Sequence, residues 1–327
     1  MDFLGSSLPL ERVKRLIDLS VKNLMKIALS FSAISIFSVH AESVKVIVDD
    51  LGREFSSEVT PRKLISLAPS NTELLSILGL NSRIIGRTKY CNFPKEIESV
   101  EIVAGFNTLD LEKIAALNPD LVIAIRGNNM DSLRGLERLK IPFFSLDIKN
   151  IDELLAAIER LGDLLGVSDR ADSIVAHYSN SIKNIRRTVG GNNSDRPSVM
   201  WGLGENTFYT AGPNTMINDV IRLAGGINVA RSTEGSWPQV SVETVLMWSP
   251  EIIITTQEEG GKAGLSKKIE RLKKDPVWGK IPAIVNNDIL YVEADLLLRP
   301  GPRLIKALEL IADFIVVYHS NKTVKRQ

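Results

Sequence analysis

The chain has 327 residues, 44% hydrophobic and 24% charged, an ordinary globular balance and enough length for about two domains at roughly 100–200 residues each. Its 40 Lys and Arg against 39 Asp and Glu leave a formal charge of +1, without the surplus of cations that a nucleic-acid-binding face needs. A single cysteine, Cys91, excludes an intramolecular disulfide or a multi-thiolate zinc site, and with three histidines (His40, His177, His319) a histidine-cluster metal site is not expected.

Met25 and Lys26 open a short basic start, followed by an apolar run over 27–39 interrupted only by serines and closed by Val39, His40 and Ala41. This pattern reads as a secretory leader cleaved near Ala41. The run is too short for a membrane span, which needs roughly 20 residues. The alternative is a buried N-terminal helix. Residues 1–24, with Glu11, Arg12, Lys14 and Arg15, read either as an amphipathic extension or as sequence preceding a true start at Met25. No cysteine follows the apolar run, so a lipid anchor is not indicated.

Beyond residue 41, apolar strand-like runs alternate with helical patterns, which predicts α/β architecture with parallel sheets covered by helices. The first half reads as strand Lys63–Leu67, helix Ser70–Leu78 stopped by Gly79, strand Arg83–Arg87, helix Leu111–Leu117, strand Leu121–Ile125, helix Met130–Leu139 and strand Pro142–Leu146. Residues Ile151 to Val189 are helical in pattern, broken around Gly166, with Ser168 or Asp169 expected to cap a second helix. That helix is either a stiff connector between two lobes or a surface helix packed on one of them. The second half reads as strands Ser198–Gly202 and Thr207–Thr210, helix Met216–Leu223, helix Val242–Met247, strand Glu251–Thr255, helix Ser266–Lys274, strand Ile289–Val292 and helix Arg303–Tyr318. The expected organisation is an extension and leader over 1–41 (leader 25–41), a first lobe over 42–150, connecting helices over 151–190 and a second lobe over 191–327.

The two halves repeat one another. Glu112 to Ile123 (EKIAALNPDLVI) aligns without a gap to Glu243 to Ile254 (ETVLMWSPEIII), and Pro69 to Thr72 has its counterpart in Gly212 to Thr215. A repeat this long means a duplicated domain and not a solenoid. Two similar lobes create one cleft between them, a common place for a ligand.

No dinucleotide fingerprint, P-loop, nucleophile elbow or zincin motif is present. Gly202 and Gly204 lack a third glycine and read as a plain turn, while His177 and His319 read as surface helix residues. With no catalytic constellation, the leading class is a binding protein, against the rival of a two-lobed exported enzyme. Binding candidates lie beyond the carboxyl ends of strands: Tyr90, Phe106 and Arg126 in the first half, and Tyr209, Trp237, Asp295 and Arg299 in the second. Loop aromatics suit a large, flat, partly polar ligand, although each alone could simply be packing its own loop. Glu112 and Glu243 fall in the first turns of equivalent helices, after Asp110 and Ser241 as expected caps. They serve either the helix dipole, at about 0.3–1 kcal/mol, or as a symmetric pair of docking carboxylates for a two-fold partner.

Over nearly all of its length beyond the leader the chain resembles the periplasmic substrate-binding proteins of iron-siderophore, haem and vitamin B12 ABC importers, and within that group the vitamin B12 binders most of all. The resemblance rests on Leu64 to Glu73 (LISLAPSNTE), Leu111 to Ala124, Arg126 with Gly127, Trp237 to Ser241 (WPQVS), and the spacing of Asp295, Arg299, Pro302 and Arg303. It implies a class III periplasmic binding protein over about 62–320, with two Rossmann-like lobes joined by a single long rigid α-helix and only small closure on a ligand between them. It further implies that Tyr90, Phe106, Tyr209, Trp237, Asp295 and Arg299 match positions lining a corrinoid site. Glu112 and Glu243 then match carboxylates that meet arginines on the membrane permease. Ile125 and Phe106 stand where the B12 binders carry tryptophan, so the stacking surface is smaller. The implied function is capture of a cobalamin-like corrinoid and delivery to an importer permease with its ATPase subunits, by a monomer that needs no cofactor. The alternative is a ferric siderophore or haem, whose anionic groups Arg126, Arg299 and Arg303 would pair by charge-assisted hydrogen bonds.

Overall fold

The computed structural model describes residues 45–105, 108–190, 195–204, 207–256 and 261–326. The expected leader and Phe106 lie outside them.

The first lobe begins with an antiparallel hairpin of β1 (Val46–Val48) and β2 (Glu54–Ser56). It then alternates strand and helix: β3 (Leu64–Ser66), α1 (Pro69–Ile77), β4 (Ile84–Thr88), β5 (Ile102–Ala104), α2 (Leu111–Leu117), β6 (Leu121–Ile125), α3 (Met130–Arg138) and β7 (Phe143–Leu146). Strands β3 to β7 form one parallel sheet in the order β5-β4-β3-β6-β7. Their near-continuous apolar runs follow from burial on both faces. Alternate residues feed different layers: Leu64, Leu121 and Ile123 enter one apolar cluster, and Ile65, Val122 and Ala124 enter another with α3 residues Leu133 and Leu136.

Two helices follow, α4 (Ile151–Leu164) and α5 (Ser168–Val189), packed on each other so closely that a Cβ on Gly162 would lie 2.3 Å from that of Ala171. The expected serine cap is corrected here. Val167 occupies the cap position without a side-chain bond, and Ser168 Oγ instead donates to Asp163 Oδ1 at 2.7 Å, tying α5 to the end of α4. Helix α5 is 22 residues long, about 33 Å at about 1.5 Å per residue. Near its start Arg170 Nε donates to the Ile77 carbonyl of the first lobe at 2.7 Å. At its end Val189 lies against Gly225 of the second.

The second lobe contains β8 (Ser198–Trp201), β9 (Thr207–Tyr209), α6 (Met216–Leu223), β10 (Ile227–Asn228), β11 (Gln239–Ser241), α7 (Val242–Trp248), β12 (Ile252–Thr255), α8 (Gly261–Leu272), α9 (Pro282–Asn286), β13 (Ile289–Tyr291), α10 (Ala294–Leu297) and α11 (Leu304–Arg326). Its parallel sheet runs β10-β8-β12-β13, with β9 and β11 as a separate antiparallel ribbon. Helix α11 continues beyond the expected end at Tyr318 because its last turns are anchored. Tyr318 OH and Lys322 Nζ both donate to Glu251 Oε1, at 2.8 and 2.6 Å.

The internal repeat is structural. Helices α2 and α7 each have seven residues, an aspartate or serine cap accepting from the third helical N–H, and a left-handed C-cap, Asn118 at φ 47° and Ser249 at φ 49°. The acid after the following proline also has a common task. Asp120 Oδ2 accepts from the N–H groups of Arg62 and Lys63 at 2.7 and 2.8 Å, and Glu251 Oε2 from that of Ser198 at 3.0 Å. In both lobes it ties the start of one central strand to its neighbour.

One apolar cluster spans both lobes and the connecting helices. It runs from Leu74 and Ile123 in the first lobe through Ile158, Leu161 and Ile182 of the connecting helices to Val199, Ile221, Ile254 and Ile311 in the second. The lobes are therefore two α/β units joined by a helix and by a continuous packed interior, which is close-packed and resists gradual deformation.

Candidate ligand-binding cleft

In each sheet the chain steps outward on one side and then returns to the other. The switch points are β3/β6 in the first lobe and β8/β12 in the second, where open α/β sheets present ligands beyond the strand ends. The loop leaving β7 and the loops leaving β9 and β10 enclose a cleft of about 720 Å³. Lys149, Asn150 and Glu153 line it from the start of α4; Asn214, Asp219 and Trp237 line it from the second lobe. Two helix N-termini open onto it, each satisfied internally: Asn150 Oδ1 accepts from the Glu153 N–H at 2.8 Å, and Thr215 Oγ1 from that of Asn218 at 3.1 Å. Asp219 Oδ2 on α6 accepts from the Ile151 N–H at 2.9 Å, tying the second lobe to the start of the connecting helices.

Beside this cleft the lobes are clasped by charge. Glu73, on α1, is 1% exposed. Its carboxylate accepts Arg303 Nε at 2.9 Å, Arg303 Nη2 at 2.6 Å and Arg299 Nη1 at 3.2 Å. The Glu73 hydrogen bond is the main cause that holds the Arg303 guanidinium above its ordinary pKa, against burial, which lowers it. Arg299 also pairs with Asp295 at 2.8 Å and donates to Asn92 Oδ1 at 2.8 Å, and the Arg303 guanidinium lies 4.4 Å from the centre of the Phe93 ring. Gly301 packs closely against this cluster: a Cβ there would sit 3.3 Å from Glu73 Oε2, a tight contact, and 3.5 Å from Ser70 Cα.

The loop bearing Tyr90, Asn92 and Phe93 is held by Arg87, a buried cation that directs its donors to the carbonyls of Val100, Thr88, Cys91 and Glu98 at 2.6–3.1 Å. Tyr90 projects from that loop 43% exposed. In the second lobe Trp237 is half exposed, and its ring lies 5.7 Å from that of Trp201, edge to face. Tyr209 ends β9, and beside it Thr210 N donates to the carbonyl of Pro238, next to Trp237, at 3.0 Å. Of the expected ligand residues that are described, Trp237 lines the cleft, and Tyr90, Tyr209, Asp295, Arg299 and Arg126 do not. Arg126 is set apart from it. It borders an adjoining cavity of about 390 Å³ that shares Lys149 and Glu153 with it. There both Arg126 and Lys149 pair with Asp147 at 2.8 Å. Burial alone would raise the Asp147 carboxyl; the two cations outweigh it and hold it below the ordinary range.

Reading the sequence missed Glu73 and Trp201. Glu73 has the look of a surface helix residue, and its partners lie more than 200 positions away. Trp201 ends β8 at the switch point, a position that strand patterning could have flagged. Its Nε1 is buried without a hydrogen-bond partner among the described residues.

Glu112 and Glu243 are both exposed in the first turns of α2 and α7. The Ser241 hydroxyl, and then the residue's own backbone N–H, hold the Glu243 carboxyl below its ordinary pKa. It is a fixed negative charge at neutral pH. Among the described residues, no group of His, Cys, Asp and Glu is arranged to hold a metal ion.

The profile of the periplasmic binding protein family matches residues 64–296. An uncharacterized ABC transporter substrate-binding lipoprotein of Bacillus subtilis is 31% identical over 84% of this chain and 86% of its own length. A vitamin B12-binding protein of Pectobacterium carotovorum is 29% identical over 77% of this chain and 87% of its own. The crystal structure of a periplasmic vitamin B12-binding protein of Vibrio cholerae superposes with a TM-score of 0.68 at 26% identity, covering 79% of this chain and 97% of that one. With the duplicated lobes, the joining helix and the cleft all in place, these matches make the chain a member of the periplasmic binding protein family, among the substrate-binding proteins of ABC transporters.

Proposed function

We propose that the chain captures a cobalamin-like corrinoid between its lobes and delivers it to the permease of an ABC importer. The observation that carries the choice of ligand is the state of the cleft's cations. Arg299 and Arg303 form a cluster of no net charge with Glu73 and Asp295, and Lys149 on the cleft wall shares Asp147 with Arg126 beside it, so each of these cations already has a carboxylate partner that an anionic chelate or haem would have to displace. What is presented instead is aromatic and amide surface: Trp237 and Tyr90 half exposed, with Asn150 and Asn214 on the cleft wall. A large amide-fringed macrocycle suits such a wall, where apolar area supplies affinity and a few polar groups orient.

In this reading Tyr90, Phe106, Tyr209, Trp237, Asp295 and Arg299 contact the ligand, and Arg126 stands at its periphery. Glu112 and Glu243 dock the loaded protein on matching cations of a two-fold permease. The chain acts without chemistry on its cargo, after export by a leader cleaved near Ala41. The test is to equilibrate the purified protein with cyanocobalamin, haemin and a ferric siderophore, desalt it, and record the visible spectrum. Retention of unaltered cyanocobalamin is expected. Retention of only the iron compounds would refute the corrinoid reading, and release of a converted product would refute transport.

A further inference from the structure

The Glu73 clasp has the geometry of a charge filter. Glu73 reaches from the first lobe to two arginines of the second, and with Asp295 it makes a cluster of two carboxylates and two guanidiniums with no net charge. The arginines are only 17% and 21% exposed at their side chains, and Leu298 and Pro300, which flank Arg299, line the cleft. An anionic ligand at this wall would have to displace a carboxylate that is already desolvated and held by three charge-assisted hydrogen bonds. It would also bring its own negative charge against Glu73, where low dielectric strengthens repulsion. A neutral ligand meets neither obstacle and can accept from Arg299 at its exposed edge.

We propose that Glu73 is a specificity-determining residue: by neutralising Arg299 and Arg303 from the opposite lobe it makes the cleft select an uncharged macrocycle and reject one bearing carboxylates. This rests on the reading of the cleft as a corrinoid site. A residue that only welded the lobes would change the affinity for all ligands alike, whereas a charge filter changes the ratio between a neutral and an anionic form of one ligand.

The experiment compares cyanocobalamin with its derivative in which one ring amide is hydrolysed to a carboxylate, a pair that differs by a single charge. Glu73→Gln keeps the side chain's volume and one acceptor oxygen, and its fold is checked by thermal melting. Calorimetry should show the wild-type chain favouring the amide, and Glu73→Gln improving carboxylate binding relative to amide by at least about tenfold, the effect of roughly one charge-assisted hydrogen bond made available. Asp295→Asn, at a half-exposed position that does not endanger folding, should move the ratio the same way by less. Adding Arg299→Gln to Glu73→Gln should restore it. An unchanged ratio in Glu73→Gln and Asp295→Asn, with cyanocobalamin still bound by the wild type, would overturn this role for Glu73 alone. Binding of neither probe by the wild-type chain would overturn the corrinoid reading, and the filter with it.

Discussion

Trp237→Ala tests ligand binding and loop packing at once, through the two halves of one side chain. The indole is 50% exposed. Of a tryptophan surface of about 200 Å², roughly 100 Å² is therefore open for a ligand to cover. At about 25 cal/mol per Å², and allowing for what alanine retains, that contact is worth about 2 kcal/mol, or about thirtyfold in Kd. The other half lies against the protein, including the edge-to-face contact with Trp201 at 5.7 Å. Its loss costs at most a similar amount, since area sums are upper bounds, and lowers Tm by no more than about 3–4 °C in a unit of this size. Titration of cyanocobalamin by calorimetry, well below the lowered transition, should give the weakened Kd with unchanged stoichiometry. Trp237→Phe should recover part of both effects. A Kd equal to wild type in Trp237→Ala, alongside the expected fall in Tm, would show that the indole serves only the packing of its loop and would remove it from the site.

Three further outcomes follow from the same structure. Glu112→Ala with Glu243→Ala should leave ligand Kd unchanged while slowing transport in reconstituted vesicles, the double variant more than either single one; because rim charges act through steering and are screened over about 8–10 Å, the wild type alone should show strong salt dependence. Since one apolar cluster crosses both lobes, small-angle scattering with and without ligand should superimpose, and a large contraction would contradict the rigid connector. Acid should destabilise the protein through Glu251: burial pushes its carboxyl up, but the Lys322 ammonium, the Ser198 N–H and the Tyr318 hydroxyl outweigh this and hold it below its ordinary value. A group depressed in the folded state stabilises fully above its unfolded value and loses that contribution as pH falls through the folded one, so melting points should drop below about pH 4, and less steeply in Lys322→Met than in the wild type.

Sequence patterning located most of the elements because their signals are local. The long apolar strands β6 and β12 and the capped helices α2, α4, α6 and α7 carry periodicity and end signals within a few residues of themselves. Strands β1, β2, β5, β10 and β11 were not legible: like β3, β9 and β13 they are only two or three residues long, but they are sheet-edge or hairpin strands without the flanking apolar run that marked β3 and β13. The duplication was legible in full, because the repeated residues are repeated instructions: a cap, an exposed glutamate, a left-handed turn before proline, and an acid that ties two strand starts together.

The sequence by itself thus determined two α/β lobes, a helical connection between them and the family; of the expected ligand residues it put Tyr90, Arg126 and Tyr209 at or just past strand ends, whereas Asp295 lies in α10 and Arg299 beyond it. The tertiary structure alone decided how those residues are disposed toward a ligand. It set Arg126 in an adjoining cavity with Asp147, and it brought Glu73 against Arg303 across 230 positions of chain, turning apparent free cations into a neutral cluster. The reason is physical: helix and strand signals arise from neighbours along the chain, whereas the charge state of a cleft depends on which groups folding brings within about 3–4 Å of one another.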